Sequence, residues 1–253
     1  MFEKSSNPIL KEKAFSKEAL LNSSGTMTIN GTIEKTGILL FVVIIAASYT
    51  WGMFFNSGDT ENAMSSMGGW LIGGAIGGFI AAMATIFMKK YAGFLAPIYA
   101  VLEGLFLGAI SAVFESMYPG IVMNAVLGTF ATFLVMLFTY RTGLIKVTEK
   151  FRSIIIVATG AIAIMYLLSW IMGMFGAGMS FLHDSSMMSI GISIFVIVIA
   201  ALNLLLDFDF IEKSSHMGAP KYMEWYGAFG LLVTLVWLYI EFLRLLAKIQ
   251  GRD

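Results

Sequence analysis

Seven apolar runs, each about as long as a bilayer is thick, dominate this chain: approximately 34–55, 69–88, 97–117, 121–140, 153–175, 187–211 and 222–248. A helix rises about 1.5 Å per residue, so about 20 residues cross the hydrocarbon. Every backbone N–H and C=O must be paired internally there. No alternating barrel pattern is present, which leaves helices as the spanning element. Composition agrees, at 58% hydrophobic and 13% charged, against roughly 45–50% and 25% in soluble domains. The expected fold is all-α and polytopic: a polar cytoplasmic tail over 1–32, then a seven-helix transmembrane domain over 33–250. The first run follows Lys35, after more than thirty mostly polar residues, so it is expected to be an uncleaved anchor.

Lys and Arg set the expected orientation. Lys4, Lys11, Lys13, Lys17 and Lys35 precede or open the first run; Lys89 and Lys90, then Arg141, Lys146, Lys150 and Arg152, then Lys213 and Lys221 fall in alternate loops. In a seven-span arrangement all share one side, which makes it the cytoplasmic side of a cell (inner) membrane. The opposite loops carry Asp59, Glu61, Glu115, His183 and Asp184. Arg244, Lys248 and Arg252 violate the pattern: either the C-terminus lies outside, or the last segment is not a full crossing. Its length and apolarity favour seven crossings. The tail reads as mobile polar chain, with Ala14-Phe15 and Ala19-Leu20-Leu21 as a weaker surface-helix signal.

Glycines four apart let helix backbones approach closely in lipid. Gly73, Gly74, Gly77 and Gly78 in the second run, and Gly104 and Gly108 in the third, are expected to pack helices. Trp51, Trp70, Tyr91, Tyr118, Tyr140 and Tyr222 lie near span ends, as an aromatic belt should.

The acids carry the chemistry. A carboxylate at hydrocarbon depth costs a few kcal/mol or more, so it is paired, protonated or lining a wet path. Taking the sixth and seventh runs as a hairpin centred near Met217 puts Glu224 at the depth of Asp207 and Asp209. Glu103 enters the third span by about 9 Å from the same side. Four acids are thus expected around one site in the inner half, with Glu241 near the opposite face. Asn203 and Asp207 share a helix face, whereas Asp209 lies about 200° round and reaches the interface or a second contact. Gly227, Gly230, Thr234, Trp237 and Glu241 trace a small and polar stripe expected to face the bundle centre. Two close carboxyls share a proton; ionised, they attract a hard cation such as Ca²⁺. The plain alternative for Asp209, Glu212 and Glu224, and with less weight for Asp207, is ion pairing with Lys89, Lys90, Arg141 or Lys213, and for Glu241 a surface pair with Arg244.

Several motifs carry a family resemblance: Asn7-Pro8-Ile9-Leu10, Ser24-Gly25-Thr26-Met27-Thr28, Glu103-Gly104-Leu105-Phe106-Leu107-Gly108, Tyr140-Arg141-Thr142-Gly143, Asp207-Phe208-Asp209-Phe210-Ile211 and Ala219-Pro220-Lys221-Tyr222-Met223-Glu224-Trp225-Tyr226. Across essentially its whole length the chain resembles the bacterial branch of the Bax inhibitor-1-like membrane proteins. That resemblance implies seven helices with the last one central, and a pH-sensitive calcium leak gated by acids on the sixth and seventh. The family's sixth-helix Asp matches Asp207, with Asp209 standing where Gln is usual. For the seventh-helix partner, Leu238-Tyr239-Ile240-Glu241 points to Glu241, depth points to Glu224, and alignment on the helix end points to Thr234, which would leave no acid pair. Lys89 or Lys90 stands nearest to the family's basic latch.

The leading expectation is a pH-gated Ca²⁺ leak with no resident cofactor, only transient Ca²⁺ and H⁺ in a lipid bilayer. A non-catalytic regulator of another membrane protein, such as a membrane protease, and a proton-coupled exchanger are the alternatives. Enzyme chemistry is not expected: with no cysteine there is no thiol nucleophile or thiolate metal site. His-Glu-x-x-His, Gly-x-Ser-Gly and Gly-x-Gly-Asp are absent, and His183 and His216 fall in loops on opposite sides. Zero net charge leaves no nucleic-acid footprint.

Overall fold

A computed structural model describes residues 25–57, 60–176 and 184–251, without the side chains of 60–63. The expected surface helix near residues 14–21, and also Asp59, His183 and Arg252, lie outside the described residues. Seven helices are long and apolar enough to cross a membrane: α1 (Ile29–Phe55), α2 (Thr60–Phe87), α3 (Ala92–Met117), α4 (Ile121–Thr142), α5 (Glu149–Met174), α6 (Met187–His216) and α7 (Met223–Gln250). A single 3₁₀ turn, Lys89–Tyr91, joins α2 to α3. The protein is an all-α, multi-pass membrane protein.

The helices begin and end where capping groups stand. The first turn of α1 starts five residues before the expected 34, because the Thr28 hydroxyl accepts from Gly31 N–H at 3.0 Å. Thr148 caps α5 in the same way, accepting from Phe151 N–H at 3.2 Å. The Glu115 carboxylate reaches across the α3–α4 turn to Gly120 N–H (2.6 Å) and Val122 N–H (3.0 Å). It thereby satisfies orphan donors at the start of α4. The α6–α7 turn is a Schellman motif: Gly218 adopts φ 68°, its N–H bonds Ser215 O, and Ala219 N–H bonds Ser214 O at 3.0 Å. Glycine supplies the left-handed backbone that this turn requires.

α7 is the axis. The buried share of its apolar window is 56%, against 44% for α6 and 17% for α4 and α5, which places the last helix at the centre. One apolar cluster joins α6 to α7 through Leu204, Leu205, Phe208, Leu231, Leu235 and Leu238, and Met27 belongs to it. A second joins α1, α3 and α7 through Leu39, Ala96, Tyr99, Ala100, Ala228 and Leu232. The C-terminal end of α7 reaches the far side: a Cβ on Gly251 would stand 3.1 Å from Tyr118 Oη and 3.4 Å from Ser185 Oγ, beside the α3–α4 and α5–α6 connections. α7 is therefore a full crossing, despite its misplaced cations.

Glycine packing is directional. A Cβ on Gly104 would stand 2.6 Å from Val43 O, and one on Gly108 would fall on Ala47 O and the Thr50 hydroxyl, so both glycines let α3 lie against α1. Thr50 adds a hydroxyl bond to Leu105 O at 3.0 Å across that contact. In α2, Gly74, Gly77 and Gly78 face Phe106, Leu102 and Glu103 of α3. Gly73 meets nothing within 4 Å, which corrects its expected packing role: one step of about 100° round the helix turns it from α3 to the outside.

The two kinds of glycine should separate in thermal melts of detergent-solubilised protein. Overpacking a tight contact costs about 1–3 kcal/mol, so Gly104→Ala should lower Tm by several degrees. Gly73→Ala should leave it unchanged or raise it slightly, since alanine is the better helix former. Equal losses at both positions would overturn this assignment.

Candidate functional site

The expected acids occupy separate settings rather than one four-acid site. Asp209 is buried, and Arg152 Nη2 and Lys213 Nζ stand 2.6 Å and 2.9 Å from its Oδ2. Glu212 accepts from the Tyr140 hydroxyl and lies 3.8 Å from His216 Nε2. Glu103 lies between α3 and α2, where the missing side chain of Gly78 makes room for its carboxylate. Among the described residues, no group of three or more His, Cys, Asp or Glu is arranged to hold a metal ion.

Glu224 corrects the depth estimate most sharply. It is fully buried and faces the start of α1, not Asp207. Lys35 Nζ lies 2.5 Å from its Oε2 and Lys221 Nζ 2.8 Å from its Oε1. The Thr28 backbone N–H (2.9 Å) and hydroxyl (2.8 Å) also donate to Oε1. Gly31 has no side chain because the carboxylate fills the place of its Cβ. Lys35 and Gly31 are four apart on one face of α1, a cation beside a gap; the sequence holds that signal, but nothing in it names Glu224 as the occupant.

Asp207 faces α7, as the shared stripe predicts. Its partner there is neutral: the Thr234 hydroxyl donates to Asp207 Oδ2 at 2.6 Å. A Cβ on Gly230 would lie 3.9 Å from Oδ1. No Lys, Arg or His among the described residues forms an ion pair with Asp207. Of the three expected partners, Thr234 holds the position, and the described residues contain no Asp207–α7 acid pair. Asn203 diverges to α5, donating to Thr159 Oγ1 at 2.8 Å.

Glu241, two turns beyond Thr234 on α7, is fully buried rather than part of a surface pair. The Tyr166 hydroxyl donates to it at 3.1 Å and 3.2 Å, and Arg244 Nη1 at 3.1 Å. The Arg244 guanidinium also lies 5.1 Å from the Tyr166 ring centre. Lys248 donates to Ser193 Oγ at 2.8 Å. A cavity of about 340 Å³ opens here, lined by Tyr118, Tyr166, Ser185, Arg244 and Lys248 among others. Arg244 and Lys248, which break the charge rule, thus serve contacts inside the bundle. Lys89, an expected latch, instead sits 5.0 Å from the Tyr226 ring centre; the buried acids are held by Lys35 and Lys221, Arg152 and Lys213, and Arg244.

Asp207 and Glu224 should respond oppositely to neutralisation. Glu224→Gln leaves two lysines around a neutral group, and breaking a buried pair costs about 3–5 kcal/mol. Asp207→Asn keeps an acceptor for Thr234 and strands no cation, so it should cost less than about 1 kcal/mol. Denaturation in detergent checks the order; a larger loss for Asp207→Asn would overturn it.

No curated protein and no solved structure matches the chain. A family model described as Bax inhibitor 1 like matches residues 7–251. With seven apolar helices, α7 at their centre, and a match over nearly its whole length, the chain belongs to the Bax inhibitor 1-like family.

Proposed function

We propose that this protein is a pH-sensitive cation leak, with Ca²⁺ as the ion, that works along the polar face of α7 with Asp207 as the titrating group. The observation that carries this reading is the Asp207 carboxylate, held inside the bundle by one neutral hydroxyl at 2.6 Å. An acid at this depth with no cation beside it is a functional group by default. Ionised, it attracts a cation; protonated, it is neutral and shares one hydrogen bond with Thr234.

The geometry supports passage rather than storage. Ca²⁺ takes about 6–8 oxygen ligands, and Asp207 and Thr234 supply only the beginning of such a shell. Glu241 lies seven residues along α7 from Thr234, about 10 Å, and stands next to the cavity on the far side. The larger cavity, about 410 Å³ between α1 and α4, is lined chiefly by apolar groups such as Leu40, Val43, Val126 and Leu232. It suits acyl chains rather than ions. The Lys and Arg bias supports a cytoplasmic N-terminal side, and the membrane of this reading is a bacterial inner membrane. A second reading, a regulator bound to another membrane protein, draws on Gly69 and Gly73, whose open face meets nothing within 4 Å; a photo-crosslinker at Gly73 that recovers only lipid would sink it.

Calcium flux from proteoliposomes tests the leak. Wild-type flux should rise several-fold as pH increases and Asp207 ionises. Asp207→Asn should be slow at every pH, with its pH profile flattened. Thr234→Val should keep the profile but shift its midpoint. An Asp207→Asn protein with an unchanged pH profile would remove Asp207 from the mechanism.

A further inference from the structure

We propose that Gly25–Thr28 form a strap that closes the N-terminal mouth of the bundle over Asp207, fastened by Glu224. The proposal deepens the leak reading by naming its gate, and it rests on that reading only for the consequence on flux. The strap is built into the α6–α7 turn. Met27 N–H donates to Ala219 O at 2.7 Å, Thr26 pairs antiparallel with Pro220, and the Ser215 hydroxyl donates to Met27 O at 3.2 Å. The Schellman turn presents Ala219 O for the first of these contacts.

The strap lies over a face of α7 made of small residues. From Glu224 the same face continues through Gly227 and Gly230 to Thr234, and the two glycines leave it without side chains. Met27, 2% exposed, covers it at the mouth: a Cβ on Gly227 would lie 3.5 Å from Met27 Cε, 3.3 Å from Thr32 Cγ2 and 3.1 Å from Ile211 Cγ1. At the next position of this face, a Cβ on Gly230 would meet only Asp207 within 4 Å outside its own stretch of helix. Met27, Thr32 and Ile211 together therefore stand between the N-terminal mouth and the Asp207 carboxylate, and Met27 is the one of the three that the strap supplies.

The fastening is releasable. Lys35 belongs to α1 and Lys221 to the α6–α7 turn, so both ion pairs of Glu224 stay when the strap lifts. The bonds lost are those from Thr28 to Glu224, the Thr28 cap on Gly31 N–H, the Thr26–Pro220 bridge with the backbone bond from Met27, and the Ser215 contact.

Thiol accessibility tests the gate without any ion. The chain has no cysteine, so Gly230→Cys carries a unique thiol beside Asp207. In proteoliposomes, a small membrane-impermeant cationic methanethiosulfonate applied at the N-terminal face should label it slowly. Adding Met27→Ala, which leaves Glu224 and its lysines intact, should speed labelling at least tenfold; adding Glu224→Gln should do the same if that protein folds. Separately, Thr26→Cys with Pro220→Cys places a thiol pair at opposed strand positions, within disulfide reach. Its oxidation should slow calcium flux several-fold, and reduction should restore it. Labelling of Gly230→Cys that is equally fast with and without Met27→Ala overturns the strap, whatever the flux. Labelling that responds while no variant passes calcium supports the strap and sinks the leak.

Discussion

A carboxylate inside a lipid-embedded bundle needs compensation, and the way this chain provides it organises everything around α7. Glu224 has two lysines and a threonine, Glu241 an arginine and a tyrosine, and Asp209 an arginine and a lysine. Each of these acids ties α6 or α7 to a neighbouring element, so each is a structural fastener. Asp207 has a single hydroxyl. The contrast matters more than any one contact: the chain supplies cations to three buried acids, whereas the half-buried Asp207 and Glu103 form no ion pair among the described residues. Removing a partner from a buried pair is strongly destabilising, so the three fasteners are fixed. Asp207 can change charge without stranding anything.

The seven spans were legible in the sequence because hydrocarbon leaves the backbone so few choices. Helix ends were less so, since they depend on Thr28, Thr148 and the Gly218 turn, which are polar residues outside the apolar runs. The face of Asp207 was legible from the stripe on α7; its partner was not. The Asp207–Thr234 contact puts the hairpin centre between residues 220 and 221, about one helical turn beyond the assumed Met217, because Met217–Tyr222 form a turn that offsets the helices. That offset brought Thr234, not Glu224, level with Asp207. Apart from Lys221, the donors of Glu224 come from the start of α1, and Thr28 and Glu224 are 196 positions apart in the sequence. No local periodicity reports a contact of that range.

The same limit explains the charges on the far side. Positive residues orient a membrane protein when they lie free in loops. Arg244 and Lys248 lie on the last turns of α7 and bond inward, to Glu241 and Ser193. They therefore answer to the buried acid rather than to topology. The apparent conflict between a full seventh crossing and its basic end disappears once Glu241 is seen to be buried.

α7 thus carries one neutralised acid towards each end and an unneutralised one facing its middle, and the two ends are not equivalent. At the far end Glu241 is held by side chains of α5 and α7 that belong to the bundle itself, next to an open cavity. At the near end the ion pairs of Glu224 also belong to the bundle, but Met27, one of the side chains over Gly227, belongs to a segment that precedes α1. A hydrogen bond to a charged group contributes about 1.5–3 kcal/mol, and burying a methionine side chain about as much. The strap is held by two such bonds, the two neutral bonds of Met27 and one such side chain, with no ion pair of its own. Had Lys35 or Lys221 been on the strap, lifting it would strip the charge partners from a buried carboxylate, and the mouth would be sealed for good. The placement of both lysines on the bundle separates the stability of the fold from the closure of the mouth.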